Sequence, residues 1–404
     1  MPKASASVLT LTILVAMATA IPTSHAQTLN VLHNLEIGMG GSNSMAGLTM
    51  DRGGNLYGTT NGGNGTVFRL SPKNGGWIFT TLYEFQGGQD GSGPTAPVTI
   101  GPDGAVYGTT LFGGGGSCVG NYGCGIIFKL TPSASTCHMA LCPWTETVVY
   151  RFAQGPNGVG TPWGTVSFDA AGNMYGQAFN GGTGSSGAIY KLAPSGGSWI
   201  FSVIYNYTGG YDGAGPTSGL TVDRAGNLYG TAFYGGAYGF GTIFELVRGG
   251  AGWTFNVLYA FQGANDGGKP FAGVVMDNAG NLYGDNQYGG VRHFGVVYQL
   301  SHTGSGWTLT PLYSSVGSFT VDVTLDSAGN VYGTTYAGGI DSAGSVFELS
   351  NSGGTWTETD LHSFTGLDGA LPYSTAILDA SGNLYGTTTS GGRYDEGVVW
   401  QITR

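Results

Sequence analysis

The residues whose types and spacing best suit chemistry fall in one short stretch. Asp285-Asn286 is followed closely by Arg292-His293. An acid, an amide, a cation and an imidazole then lie on neighbouring segments. Asp285 and His293 could act as an acid–base pair. Elsewhere in the chain the place of Asp285-Asn286 is held by pairs such as Thr59-Thr60, and Gln177 is a second departure. Drift between copies explains these substitutions equally well.

Three further sets of residues invite a functional reading. Asp-Gly followed by proline occurs at Asp90-Gly91/Pro94, Asp212-Gly213/Pro216, Asp266-Gly267/Pro270 and Asp368-Gly369/Pro372, with Asn157-Gly158/Pro162 a relative. As plain chemistry this is a turn. As a ring of carboxylates, Asp90, Asp212, Asp266 and Asp368 could hold calcium through oxygen ligands. Next come aromatics beside Gly-Gly pairs: Tyr234, Tyr238, Phe240, Tyr288, Phe294, Tyr336 and Tyr394. A flat apolar ring with a polar tip, set among Gly, Ser and Asn, suits recognition of sugars or peptides. Packing at a rim is the competing reading. Finally, Cys118, Cys124, Cys137 and Cys142 are the only cysteines. Four cysteines allow three pairings. The two local bridges, Cys118–Cys124 and Cys137–Cys142, are favoured because a strand separates the pairs. Zinc would prefer C-x2-C spacing. No HExxH, nucleophile elbow or phosphate loop occurs.

The elements that must position these residues are repeats. Gly54-Asn55-Leu56-Tyr57-Gly58-Thr59-Thr60 has near-copies along the chain, marked by Tyr57, Tyr107, Tyr175, Tyr229, Tyr283, Tyr332 and Tyr385, at intervals of 50, 68, 54, 54, 49 and 53 residues. Each copy resolves into four short strands. In the first they are 46–50, 55–60, 65–71 and 77–85, with turns at 51–54 and 72–76. Asp51 and its six counterparts (Asp103, Asp169, Asp223, Asp277, Asp326, Asp379) read as hairpin joints. The glycine after each marker tyrosine would leave room for an aromatic of the next repeat.

Four antiparallel strands repeated seven times predict an all-β, seven-bladed β-propeller. The last repeat lacks its fourth strand at the C-terminus. Thr28–Leu35 resembles Thr357–Phe364, the fourth strand of repeat six, so the N-terminal strand should complete the last blade and close the ring. If the first strand of each blade lies innermost, the loops between the second and third strands share one face with the joints that lead in from the preceding blade.

Composition narrows the partners. Glycine supplies 78 of 404 residues, charged residues are 9%, and the formal charge is −10. Nucleic acid demands a basic stripe and is excluded. Lys3, an apolar run from Val8 to Ile21 and Ser24-His25-Ala26 predict a signal peptide over 1–26, leaving 27–404 as one propeller domain. The apolar run is too short to span a bilayer. The mature chain is expected to be secreted or periplasmic, with no transmembrane segment.

The unit D-x-x-GNLYGTT-x-x-GG…GTVF-x-L, with its DG-x-x-P joint, resembles the GloVer tandem repeat of exported bacterial "choice-of-anchor" proteins. The resemblance covers essentially the whole chain after residue 26. It implies a propeller-like protein and brings no catalytic residues with it.

The sequence thus leads to a non-catalytic exported binding module for a glycan or a protein, with no cofactor beyond possible calcium. An extracellular polysaccharide lyase or hydrolase centred on Asp285, Arg292 and His293 is one alternative. A structural surface protein is the other. Ligand and oligomeric state are not encoded in any motif.

Overall fold

A four-stranded sheet with apolar residues on both faces cannot stand alone in water, and each repeat of this chain is such a sheet. The computed structural model describes residues 27–38, 41–116, 118, 122–133, 144–153, 158–250, 252–304, 306–315 and 320–404. Within them, seven four-stranded antiparallel sheets form the blades of a ring. Blade one consists of Thr49–Met50, Leu56–Thr60, Thr66–Lys73 and Gly76–Glu84, paired in that order. The second strand is buried along its whole length, because neighbouring blades cover both of its faces.

Apolar side chains from adjacent blades fill the gaps between them. Leu48, Leu56, Phe68 and Leu70 of blade one pack with Tyr385 and Val399 of blade seven. Tyr283 and Val297 of blade five pack with Val323, Val331, Phe347 and Leu349 of blade six. A fully buried side chain of this kind contributes roughly 1.5–3 kcal/mol. The glycine after each marker tyrosine has a different role from the one expected. A Cβ on Gly58 would lie 2.4 Å from Phe68 Cζ, and one on Gly386 would lie 2.3 Å from Trp400 Cζ2. Phe68 is the cross-strand partner of Gly58, and Trp400 that of Gly386. The glycine therefore receives an aromatic of its own blade, because directly paired residues in a ladder approach more closely than residues on packed sheets.

Closure follows the sequence reading. Thr28–Asn34 pairs antiparallel with Val398–Thr403, with Thr28 opposite Thr403 and Val31 opposite Trp400. The N-terminal strand is thus the outer strand of blade seven. The backbone N–H of Arg393 also donates to Asn34 Oδ1 at 2.8 Å.

Two boundaries differ from expectation. The inner strand is a two-residue ladder in six blades, so 46–48 run on past the paired residues without joining the ladder. The outer hairpin is tighter than 72–76: Pro72 stays in the third strand opposite Trp77, and the turn is Asn74-Gly75 with φ of 48° and 81°. Proline is tolerated there because Leu70 is the last residue of that strand to meet the second strand, at Leu56.

The Asp51 joint is a closed polar unit. Asp51 Oδ1 accepts from the backbone N–H of Gly53 (2.8 Å) and Asn55 (2.9 Å), and Oδ2 accepts from Asn55 Nδ2 (2.7 Å) and the Tyr57 hydroxyl (3.1 Å). Asp169, Asp223, Asp277, Asp326 and Asp379 repeat the arrangement. Asp103 keeps the tyrosine bond and adds Lys129 Nζ at 2.7 Å. Burial pulls Asp51, Asp169, Asp326 and Asp379 upward, but the hydrogen bonds outweigh it and hold these carboxylates below their ordinary range.

Candidate binding site at the axial cavity

The joints that lead into each blade are tied to the loops of the expected face. Ala214 bridges Tyr234, Gly268 bridges Tyr288, and Ala370 bridges Ser390. Within each joint the aspartate is consumed locally. Asp212 Oδ2 accepts from the Tyr205 hydroxyl and the Thr208 N–H, both at 2.8 Å. Asp266 takes Tyr259 and Gln262, Asp90 takes Tyr83 and Gln86, and Asp368 takes His362 and Thr365. Each carboxylate closes its own turn, while Asn157 lies outside the described residues. Among the described residues, no group of three or more His, Cys, Asp or Glu surrounds a point where a cation would sit.

The residue before the joint proline is left-handed: Thr161, Lys269 and Leu371 have φ of 53°, 56° and 55°. For a β-branched residue this is a strained conformation. The backbone is held there by N–H bonds to the preceding blade, Lys269 to the Phe240 carbonyl and Leu371 to the Ala343 carbonyl, both at 2.7 Å. The chain then turns so that the residue after the proline reaches the axis.

Those residues line a cavity of about 140 Å³ on the axis of the ring. Among the described residues, its upper tier holds Met45, Thr95, Trp163, Thr217, Phe271 and Tyr373, from blades one to five and seven. The lower tier lies two residues further along each chain: Gly47, Pro97, Thr165, Gly219, Gly273, Thr375 and, from blade six, Asp322. Register confirms the correspondence, since Thr49 pairs with Tyr57 and Thr324 with Tyr332. Among the described residues, Asp322 is the only carboxylate lining the cavity. It is half-buried, left-handed (φ 56°), and accepts the Val323 N–H at 2.8 Å. Burial pushes its carboxyl up to about 6, against the opposing effect of that hydrogen bond.

The cavity mouth is uneven. Trp163 meets Phe179 (5.7 Å between centroids) and Phe271 (6.2 Å), and Phe271 meets Phe233 (6.2 Å) and Tyr373 (6.0 Å). Tyr234 extends the chain from Phe233 at 4.7 Å, and Tyr336 from Tyr373 at 5.5 Å. Seven rings form one connected surface over blades three to seven. The side formed by blades one and two offers Met45 and Thr95.

The predicted aromatics divide accordingly. Tyr234 and Tyr336 belong to this surface. Phe240 and Tyr288 stack at 5.5 Å, with Lys269 Nζ over Tyr288 at 5.6 Å and His293 beside it at 6.4 Å. Tyr238, Phe294 and Tyr394 are exposed, and Arg393 lies over Tyr394 at 5.4 Å. Trp163, Phe271 and Tyr373 escaped the sequence reading. Their signal was the position after the joint proline, where Thr95 and Thr217 stand in other copies. Asp322 was missed because repeat six lacks the joint that would have aligned it.

The cluster from repeat five is not brought to one point. Arg292 and His293 are exposed on a loop, and His293 occupies its left-handed position (φ 63°). Asp285 is 2% exposed and accepts the Asp322 N–H at 3.2 Å. At the equivalent place a threonine hydroxyl donates to a carbonyl of the next blade: Thr59 to Ala96, Thr109 to Gly164, Thr231 to Ala272, Thr334 to Ser374, Thr387 to Ala46. In blade three, Gln177 does the same to Ser218 and accepts the Tyr207 hydroxyl at 2.7 Å. Asn286 replaces a threonine that holds the loop, accepting the Val296 N–H and donating to the Asp266 carbonyl. Both departures in repeat five thus have structural partners. The predicted local bridge Cys118–Cys124 is present, while Cys137 and Cys142 lie outside the described residues.

Comparison with known proteins agrees with this architecture. No curated protein matches the chain. Among solved structures, a candidate 6-phosphogluconolactonase from Bacteroides uniformis is similar at 14% identity and a TM-score of 0.51, over 79% of this chain and 84% of that one. One from Bacteroides fragilis is similar at 13% identity and a TM-score of 0.50, over 78% and 82%. At such identity the likeness is one of fold alone. The family model of the Gloeobacter/Verrucomicrobia repeat matches residues 117–319 and 250–404. This chain, built from seven copies of one unit around a closed ring, belongs to the Gloeobacter/Verrucomicrobia repeat family.

Proposed function

We propose that the protein is an exported, non-catalytic binding module whose loop face recognises a glycan or a protein. The observation that carries this reading is the connected aromatic surface at one side of the axial cavity. The rings meet mostly edge to face and hold one another in place, so they present apolar faces and edges to a ligand at low ordering cost. In this reading residues 1–26 are a cleaved leader, 27–404 form the propeller, and the Cys118–Cys124 bridge suits an oxidising compartment. The lyase or hydrolase alternative has less support. Asp285 is turned into the five–six junction, and an enzyme needs convergent ionisable groups in its pocket. The test is a screen of residues 27–404 on glycan and peptide arrays, beside Trp163→Ala and Phe233→Ala. Binding that both substitutions weaken supports the proposal. A blank on both arrays, or binding unaffected by either substitution, removes it.

A further inference from the structure

The cavity beneath the aromatic surface has a size, a depth and a charge that specify more than stacking. At about 140 Å³ it is well below the roughly 300–1,000 Å³ of pockets that enclose a whole small ligand. It takes an end group, while the rest of a ligand remains on the face. The upper tier places Trp163, Phe271 and Tyr373 around the entrance, with Phe271 edge-on to both neighbours. Asp322 lies two residues further in, about 6–7 Å along a strand. Rings over which a cation can pass, with one carboxylate at the end, are the elements of an ammonium site. A lysine stem of four methylenes spans that depth. An amine attached directly to a sugar ring does not, because the ring would have to enter. The formal charge of −10 favours a basic partner as well.

We propose that the axial cavity receives a lysine side chain of a partner polypeptide, with its ammonium against Asp322 and its stem between Trp163, Phe271 and Tyr373. This rests on the reading of the loop face as a binding surface and narrows its ligand to a protein. Among the described residues, the titratable groups near Asp322 are Asp285 and Tyr298 from blade five, and Tyr373 from blade seven shares the cavity. Tyr298 is held well above its usual range by burial and Tyr373 is raised by burial, so both stay neutral. At neutral pH Asp322 is ionised, and it takes up a proton near pH 6.

The experiment titrates residues 27–404 with n-butylammonium chloride and with n-butanol, then with a short peptide carrying one lysine and its acetyl-lysine counterpart. The ammonium and the lysine peptide should bind at least tenfold more tightly than their neutral counterparts. Asp322→Asn should remove that preference, Phe271→Leu should weaken both cationic ligands, and the preference should decline below pH 6. Equal affinity for charged and neutral probes overturns the proposal. So does an Asp322→Asn protein that folds and still prefers the cation, or a glucosamine trimer that competes as well as the lysine peptide. Neutral ligands found on the arrays and lost in Trp163→Ala would, in that case, leave the broader binding role standing.

Discussion

The five–six junction and the other blade junctions solve one packing problem with opposite polarity. At five junctions a threonine hydroxyl donates to a carbonyl of the next inner segment, and at another the Gln177 amide does so. Between blades five and six the inner segment presents an N–H instead, because Thr320–Leu325 carries a register shift with Asp322 left-handed. A threonine hydroxyl could meet that N–H only as a neutral acceptor, with no carbonyl left for its own hydrogen. Asp285 supplies an acceptor. The difference teaches that a residue breaking a repeat need not be functional. It can be the counterpart of a second break in the neighbouring copy, and here that second break also places a carboxylate in the axial cavity.

The largest effect on this comparison comes from opening the ring, since every junction presupposes closure. Removing 28–35 leaves the Val398–Thr403 edge of blade seven unpaired and takes away Leu29, Leu32 and Leu35. The loss should be about 5 kcal/mol or more, read as a fall in the midpoint of chemical unfolding. An unchanged midpoint would refute closure by the N-terminal strand. Next is Asp285→Leu, which strands the Asp322 N–H. A bond to a charged acceptor is worth about 1.5–3 kcal/mol, so this variant should be destabilised by that amount. Thr231→Val at an ordinary junction strands the Ala272 carbonyl, removes a longer contact with the Ser218 hydroxyl, and should cost about 1 kcal/mol. Equal losses in the two variants would show that the reversed junction is nothing special. The smallest effect is on pH dependence. Folded Asp322 keeps its proton up to about pH 6, whereas the unfolded chain releases it near the ordinary carboxylate value. The native state binds more protons in that window, so stability should fall as pH rises through it and level off above 6. Asp322→Asn should flatten this part of the profile, and a profile that keeps its slope would assign the effect to another group.

Much of the fold was legible from the order of residues. Strands, turns and the seven marker tyrosines are local features, set by period-two patterning and by aspartate and glycine at joints. Closure was legible too, because a missing strand at one end reappeared as a look-alike at the other. The candidate site was legible only in part. Tyr234 and Tyr336 stood out as aromatics beside glycine pairs. Trp163, Phe271 and Tyr373 did not, since each follows a proline in a joint that reads as a turn. Their contacts join blades three, five and seven, whose joints lie about a hundred residues apart in sequence. Asp322 lay in repeat six, which like repeat one lacks the Asp-Gly and proline joint.

By itself, the sequence determined the repeat, the blade count, the polar joints and the strand that closes the ring, because each follows from contacts within one unit or from one unit left incomplete. Only the tertiary structure decided that Asp285 serves Asp322 rather than His293, that each joint aspartate closes its own turn, and that rings from alternate blades meet over one cavity. These are relations between units. Their physical cause is the ring itself, which brings one residue from each of several repeats to a common axis and leaves no trace of that meeting in any single repeat.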